Sequence, residues 1–309
     1  MLRLRRTLAA AAAALLALTI VPAGATEPAP NFGARTIGGV DADPDSPVNQ
    51  AGTYLEITAP DGQRYLCSGT LITKVHVLTA KHCVYTENTD TQVLETATAY
   101  IGLDRFNPAD KSTVSASGVK VHPAADLAVL TLDQPANNTT PAKVWGGDVN
   151  IEETEFFASG FGTGANSDAL WVLGEARIDV TGRQSFTLTG VDDKPQPGYS
   201  GYPVGGTRIT QGDSGGPLHN YHQVLGVNSG VAPQAPHGMS FVPTQDYGAW
   251  IDSVAPGSVE GPREGAAAPL DLPAEDRVPA PLSGPSPAEA IPSLVAAVQN
   301  RVSDLLGLG

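Results

Sequence analysis

A serine within a glycine-rich turn is the first feature of the sequence that could do chemistry. Ser214 lies in the hexapeptide GDSGGP at residues 212–217. The backbone amides of such a tight turn can converge on one point, which is what stabilisation of an oxyanion requires. Most glycine-rich turns that contain serine are only turns, so the hexapeptide read alone assigns no function. A serine hydroxyl becomes a good nucleophile only when a base removes its proton.

A histidine and an aspartate earlier in the chain are the candidates for that base and its partner. His82 lies in the run LTAKHC at residues 78–83, and Asp126 opens the apolar segment DLAVL at residues 126–130. Taken singly, each has an ordinary explanation, as a packed or exposed histidine and a turn aspartate. Together with Ser214 they would supply the three groups that an acyl-transfer site needs, in which a carboxylate orients the imidazole that deprotonates the serine.

Short strands are predicted to position these groups. Residues 36–254 consist of short apolar or alternating runs divided by Gly, Pro, Asn and Asp, such as those at 53–57, 71–78, 128–132 and 223–227. Each has the length of a strand, and several are rich in β-branched residues. Helical spacing of apolar residues in this region is limited to residues 246–254. Many strands with almost no helix predict an all-β fold of barrels or of a sandwich.

The two ends of the chain differ from this region. Residues 1–25 combine a basic head, an apolar run and the small residues 23–25, and this pattern predicts a signal peptide. The alternative is a membrane anchor, but the apolar run is shorter than the about 20 residues that a spanning helix needs. Residues 26–35 resemble a spacer or pro-segment. Proline-rich residues 255–290 predict a flexible linker, and residues 291–309 predict an amphipathic helical tail, with a disordered tail as the alternative.

Four motifs give the segment from Thr36 to about Val254 a resemblance to the chymotrypsin/trypsin family of serine endopeptidases. They are TIGG at residues 36–39, TAKHC at 79–83, DLAVL at 126–130 and GDSGGP at 212–217. The first is weak alone, whereas the others are specific in this order and spacing. The resemblance implies two packed six-stranded antiparallel β-barrels with the site at their junction, a connection between barrels near residues 134–150, and a short closing helix at 246–254.

The resemblance also implies a role for each matching residue. Ser214 is expected to be the nucleophile, His82 the general base and then the general acid, and Asp126 the carboxylate that orients the imidazole. The backbone N–H groups of Gly212 and Ser214 are expected to form the oxyanion hole. These assignments rest on the motifs and not on any contact that the sequence itself reveals.

The family pattern extends to a disulfide and to one wall of the substrate site. Composition leaves the two cysteines as one bridge or two free thiols, whereas the resemblance implies that Cys67 and Cys83 are bonded beside the histidine. Ser229 and Gly230 match the strand that binds substrate, and Ser229 is expected to hydrogen-bond the catalytic aspartate. Lys81 replaces a usual small residue and is expected to face outward.

Two further expectations concern activation and specificity. Cleavage after Arg35 would free the amino group of Thr36, or of Ile37 if the register shifts by one, and the resemblance pairs Thr36 with Asp213 in an activation ion pair. Arg208, six residues before the nucleophile, matches the residue at the base of the side-chain pocket, where it either lines the pocket or faces solvent. No acidic residue stands there, so cleavage after lysine or arginine is not expected.

Charge and export complete the functional prediction. The net charge of −14 argues against a nucleic-acid-binding surface and against docking on anionic lipid, and no later segment is apolar for long enough to span a membrane. We expect a secreted, extracellular serine endopeptidase acting on proteins or peptides, made as an inactive precursor, with no metal or other cofactor. A catalytically silent binding module and an esterase on the same fold are the alternatives. The C-terminal helix is expected to need a partner surface.

Overall fold

The computed structural model describes residues 40–85, 92–162, 172–186, 196–231 and 238–262, together with the backbone of residues 277–278. The strands of the N-terminal half are β1 (Val40–Asp41), β2 (Gly52–Thr58), β3 (Arg64–Thr73), β4 (His76–Thr79), β5 (Thr96–Ile101), β6 (Asp110–Ser115), β7 (Val119–Val121) and β8 (Ala128–Thr131). Those of the C-terminal half are β9 (Lys143–Trp145), β10 (Phe156–Gly160), β11 (Gly174–Phe186), β12 (Gln196–Pro203), β13 (Pro217–His219), β14 (Gln223–Val231), β15 (Met239–Pro243), β16 (Val259–Glu260) and β17 (Arg277–Val278). The α-helices in this part of the chain are α1 (Pro47–Gln50) and α2 (Gly248–Val254), and single 3-10 turns lie at Lys81–Cys83, Ala116–Gly118, Val204–Gly206 and Thr244–Asp246.

The N-terminal sheet is antiparallel and has the strand order β6-β5-β2-β3-β4-β8-β7. This sheet is packed on both faces, as strand β2 shows. Alternate residues of a strand point to opposite sides of the sheet. Leu55 and Ile57 are fully buried in the core. Tyr54 and Glu56 face the other side and accept hydrogen bonds from Arg105 at 2.6 and 2.7 Å. The N–H of Asp133 donates to the Thr113 carbonyl at 2.8 Å, so the outer strand β6 lies against the chain that leaves β8.

The C-terminal sheet closes into a barrel of six strands. Strand β13 pairs with β10 through Leu218 and Ala158, and with β14 through Leu218 and Gly226, which completes the ring β10-β11-β12-β15-β14-β13. Strand β1 pairs with β11 at the rim. The interior of this barrel is filled by large side chains, among them Phe156, Tyr199 and Phe241. The all-β architecture of two packed barrels that the sequence predicted is confirmed, with one barrel closed and the other an open half-barrel.

The connection between the barrels runs from the end of β8 to the start of β10, and β9 within it pairs in parallel with β14 and β16. Helix α2 follows β15, and its fully buried Ile251 belongs to the same core cluster as the strands of the first sheet. Packing continues beyond Val254, because Val259 in β16 is buried against β9. The signal peptide, the pro-segment, Thr36 and the amphipathic tail lie outside the described residues and stay predictions. The linker beyond residue 262 also stays a prediction, and its described residues, Arg277–Val278, form β17, which pairs in parallel with β11. No helix among the described residues is long and apolar enough to cross a membrane.

Candidate active site

His82 and Asp126 are brought together by the pairing of two strands. His82 lies in the 3-10 turn Lys81–Cys83 directly after β4, and Asp126 lies just before β8; Thr79 and Ala128 are partners in the antiparallel ladder that joins these strands. His82 Nδ1 lies 2.7 Å from Asp126 Oδ2, and the backbone N–H of His82 donates to Oδ1 at 2.8 Å. The contact places the ring proton on Nδ1 and leaves Nε2 as the acceptor when the imidazole is neutral.

Asp126 is fully buried and remains a carboxylate because its surroundings favour the charge. Burial raises its pKa, but the charge of His82 and the hydrogen bonds from His82 and Ser229 outweigh that effect, and the pKa is lowered overall. The Ser229 hydroxyl donates to Oδ2 at 2.6 Å. The backbone N–H of Asp126 donates to the side-chain oxygen of Gln196 at 2.9 Å, a contact that the sequence did not suggest.

In the turn that carries Ser214, some backbone N–H groups donate hydrogen bonds to the protein and others do not. The N–H groups of Asp213, Gly215 and Gly216 donate to carbonyl oxygens at 3.1, 2.9 and 3.0 Å. Within the described residues, those of Gly212 and Ser214 donate to no protein acceptor. Gly212 and Gly215 have φ values of 98° and 80°, in the left-handed region that only glycine enters without strain. The turn therefore leaves two donors beside the Ser214 hydroxyl.

Ser68 ties this turn to the first barrel. Its backbone N–H donates to the Ser214 carbonyl at 2.8 Å, and its hydroxyl donates to the Gly212 carbonyl at 2.8 Å. The preceding residue, Cys67, is bonded to Cys83, which follows the histidine, so the expected disulfide is confirmed. The two hydrogen bonds of Ser68 and one disulfide thus connect the serine turn to the histidine turn. Sequence reasoning missed Ser68, because a serine next to a cysteine has no distinctive pattern.

The carboxylate of Asp213 points away from the turn into the second barrel, where it is buried. It accepts hydrogen bonds from the N–H of Gly162 at 2.7 Å and from the N–H and hydroxyl of Thr210 at 2.8 and 3.2 Å. Burial raises the pKa of Asp213 to about 6, although these hydrogen bonds oppose the shift. Because Thr36 lies outside the described residues, the ion pair between Thr36 and Asp213 stays a prediction.

The structure places the two basic residues that the sequence singled out, Arg208 and Lys81. Arg208 is exposed. Lys81 is 3% exposed, so the expectation that it faces outward is wrong. The 3-10 turn directs its stem inward, where Nζ lies 5.8 Å from the centre of the Tyr85 ring. Burial, and then the charge of Lys81, lower the pKa of His122 to about 4.

Comparison with known proteins assigns the chain to a family. Residues 36–251 match the family described as Trypsin. A trypsin of Saccharopolyspora erythraea is 29% identical over 218 residues, which cover 62% of this chain and 85% of that protein. Chymotrypsin-like elastase family member 1 of Bos taurus is 29% identical over 226 residues, 67% of this chain and 83% of that protein. Coagulation factor XI of Bos taurus is 27% identical over 198 residues, 54% of this chain, but the match spans only 29% of its length.

Solved structures share the fold at lower identity. HL collagenase is 20% identical with a TM-score of 0.51, and the match covers 71% of this chain and 98% of that one. A scabies mite inactivated protease paralogue is 22% identical with a TM-score of 0.54, over the same shares. At these identities the likeness concerns the fold alone.

Proposed function

Because the chain belongs to the trypsin family of serine proteases, we propose that it is a secreted serine endopeptidase that hydrolyses peptide bonds through an acyl-enzyme on Ser214. The observation that carries the proposal is the contact of both Asp126 oxygens with His82, at 2.7 and 2.8 Å. It is supported by the two N–H groups, of Gly212 and Ser214, that donate to no acceptor in the described part of the chain. Export would follow from residues 1–25.

In the first half of the reaction, His82 Nε2 takes the proton of the Ser214 hydroxyl as its oxygen attacks the carbonyl carbon of the substrate. The carbonyl oxygen becomes negatively charged and accepts hydrogen bonds from the N–H groups of Gly212 and Ser214. The buried carboxylate of Asp126 stabilises the imidazolium. The carbon–nitrogen bond then breaks, and the leaving amine takes the proton from His82.

The second half repeats these steps with water. Water gives a proton to His82 Nε2 while its oxygen attacks the acyl carbon. The ester bond to Ser214 breaks, and the serine oxygen recovers the proton from His82. The product acid leaves, and the site returns to its starting protonation. No group other than the side chains and backbone named above is needed in this scheme.

Activation would depend on the charge of Asp213. Asp41 pairs with Gly174, and Gly174 pairs with Gly160, where a side chain would collide with the Asp213 carboxylate. Two strand spacings, about 10 Å, therefore separate Asp41 from this region. The chain from Thr36 to Asp41 can extend over roughly 17 Å, so a freed amino group at Thr36 would reach the carboxylate. The pair would hold the neighbouring turn in place.

The exposure of Arg208 favours the version of the specificity hypothesis in which this residue faces solvent. That version predicts an uncharged residue, small or apolar, before the scissile bond. Efficient cleavage after lysine or arginine would contradict both versions, since each lacks an acidic group in the pocket. The domain division, with a protease domain that begins at residue 36 and is followed by a linker and tail, is part of the same proposal, and the packing of β16 moves the end of that domain from residue 254 to about residue 260.

A fluorophosphonate probe and two substrates test the proposal on the exported protein. The wild type should be labelled and should cleave casein, whereas Ser214→Ala should lose labelling and about 10⁶-fold in kcat. Ser253→Ala is the matched control, because Ser253 is exposed on α2 and its hydroxyl donates, among the described residues, to the Trp250 carbonyl at 2.7 Å. Cleavage by Ser214→Ala at the wild-type rate would exclude this nucleophile.

Other outcomes would point to the alternatives. A wild type that is neither labelled nor active would indicate a binding module, a state that the name of the inactivated scabies mite paralogue attributes to that protein. Hydrolysis of short-chain esters without casein would indicate an esterase. N-terminal sequencing of the active protein should find Thr36 or Ile37 first; an active enzyme that begins at Thr26 would contradict the activation step.

A further inference from the structure

Gln196 is a buried residue of the second barrel whose side chain reaches the first barrel. It opens β12 and is 4% exposed. Its side-chain oxygen accepts a hydrogen bond from the backbone N–H of Asp126 at 2.9 Å, although 70 residues separate the two along the chain. Because the donor is an N–H group, the amide atom that faces it must be the oxygen. This contact joins the second barrel to the backbone that carries the proposed catalytic carboxylate.

The backbone at Asp126 forms a tight turn between β7 and β8. The N–H of Leu127 donates to the Ala125 carbonyl at 2.8 Å, which makes Asp126 the central residue of a three-residue turn. The N–H of His122 donates to the Leu127 carbonyl at 2.9 Å and closes the wider loop. Neither of these bonds uses the N–H of Asp126, whose acceptor among the described residues is Gln196. Gln196 therefore restrains the residue at the tip of the turn.

The second barrel holds Asp126 at two points. Ser229 of β14 donates its hydroxyl to Oδ2 at 2.6 Å, and Gln196 of β12 accepts from the backbone N–H. On the side of the first barrel, the carboxylate contacts the N–H and the Nδ1 atom of His82 at 2.8 and 2.7 Å. With the carboxylate and the backbone N–H both held, the side chain cannot turn away from the imidazole without breaking one of these bonds.

We propose that Gln196 is a positioning residue for acyl transfer, which holds the turn at Asp126 so that the carboxylate stays against His82 while the imidazole gains its proton. The inference rests on the proposed peptidase function and deepens it, because Gln196 acts through Asp126 and not on the substrate. Loss of the acceptor would leave a buried N–H unpaired, and the turn would shift toward another partner. A displacement of about 1 Å can cost about 100-fold in rate, so a small shift is sufficient.

Two variants of the exported, active protein remove the acceptor, and a third restores it. Gln196→Met keeps the length of the side chain but offers only a weakly accepting sulfur, and Gln196→Asn keeps the carboxamide on a shorter side chain. In both variants, kcat for a peptide substrate should fall by about 5- to 100-fold, and KM should change by less than about 3-fold. Gln196→Glu has an accepting oxygen at the original reach, whether or not it is ionised, so kcat should return to within about 5-fold of the wild-type value.

Gln223→Met is the matched control. Gln223 opens β14, about 20 Å along that strand from Ser229, and its Nε2 donates to the Glu260 carboxylate at 3.0 Å. The same exchange of a hydrogen-bonding glutamine for methionine should leave kcat within about 2-fold of the wild-type value there, because the bond lies far from the proposed site. Thermal unfolding of every variant shows whether it is folded at the assay temperature.

The outcomes separate this inference from the peptidase proposal. An active wild type whose folded Gln196→Met variant keeps the wild-type kcat would overturn the inference alone. If Gln196→Met does not fold, Gln196→Asn provides the same comparison. Equal losses of kcat in Gln196→Met and Gln196→Glu would also overturn it, because they would indicate packing rather than an acceptor. A wild type that is neither labelled by fluorophosphonate nor active would overturn the peptidase proposal and this inference with it.

Discussion

Replacement of Asp213 by asparagine should remove a pH-dependent cost of folding from the uncleaved chain. In that chain the amino group of Thr36 is part of a peptide bond, so it cannot neutralise the buried carboxylate. Among the described residues, the hydrogen-bond donors to the Asp213 carboxylate are Gly162 and Thr210, which carry no charge. A Ser214→Ala background prevents the protein from cleaving itself during the measurement.

The size of the cost follows from the pKa of Asp213. Burial raises the pKa of this carboxyl from 3.8 to about 6. Between these values the folded chain holds a proton that the unfolded chain has lost, so the contribution of Asp213 to stability is fully present below about pH 4 and is lost as the pH rises through 6. The whole shift corresponds to about 3 kcal/mol, of which about 2 kcal/mol is lost between pH 4.5 and pH 7.5.

Two buried histidines make the folded chain less stable as the pH falls, which is opposite to the effect of Asp213. The quantity to measure is therefore the difference in stability between the variant and its parent. Burial lowers the pKa of His122 to about 4 and that of His219 to about 3. Their unfolded forms gain protons as the pH falls below about 6.5, which destabilises the folded chain in acid. Subtraction of the parent curve from that of Asp213→Asn cancels these contributions.

Urea denaturation of the two proteins at pH 4.5 and pH 7.5 provides the test. The free energy of unfolding of Asp213→Asn minus that of its parent should increase by about 2 kcal/mol between these pH values. Asp179→Asn is the control, because Asp179 is exposed on β11, and its difference from the parent should stay constant. A difference for Asp213→Asn that does not change with pH would refute the assignment of a raised pKa to this carboxyl.

Two further predictions concern stability. Replacing Cys67 and Cys83 together by alanine should lower the free energy of unfolding by about 3 kcal/mol in a urea titration, because the bridge closes a loop with a sequence separation of 16; unchanged stability would contradict this. Truncation after Pro262, which removes the 2-residue strand β17, should leave Tm almost unchanged and peptidase activity within a few-fold of that of the full chain. Truncation after Val254 should lower Tm, since it removes β16 and the buried side chain of Val259, worth about 2 kcal/mol; equal Tm values for the two truncations would contradict the packing of β16.

The candidate site residues were accessible to sequence reasoning because their chemistry is local. Ser214 is flanked by glycines, His82 follows a β-branched run and Asp126 opens an apolar strand, and each pattern lies within a few residues. The all-β fold was predictable for the same reason, since strand periodicity and turn residues are properties of short segments. The disulfide between Cys67 and Cys83 followed from the family resemblance, because two cysteines alone leave its existence open.

Partners that are remote along the chain could not be read from these patterns. The hydroxyl of Ser68 contacts a carbonyl 144 residues away, and Gln196 contacts the backbone of Asp126 at a separation of 70. Neither residue stands in a distinctive motif. Such contacts depend on the closure of two sheets and on their register, and register is set by the burial of whole strand faces rather than by the residues it joins.

The sequence by itself determined which side chains are available for acyl transfer and which segments form strands. Only the tertiary structure decided how each polar group is surrounded: Lys81 is buried, Arg208 is exposed, and the side-chain oxygen of Asn228 is buried without a donor among the described residues. The physical reason is that burial and hydrogen bonding are properties of three-dimensional neighbours. The energy of a polar group changes by several kcal/mol with those neighbours, although its sequence context stays the same.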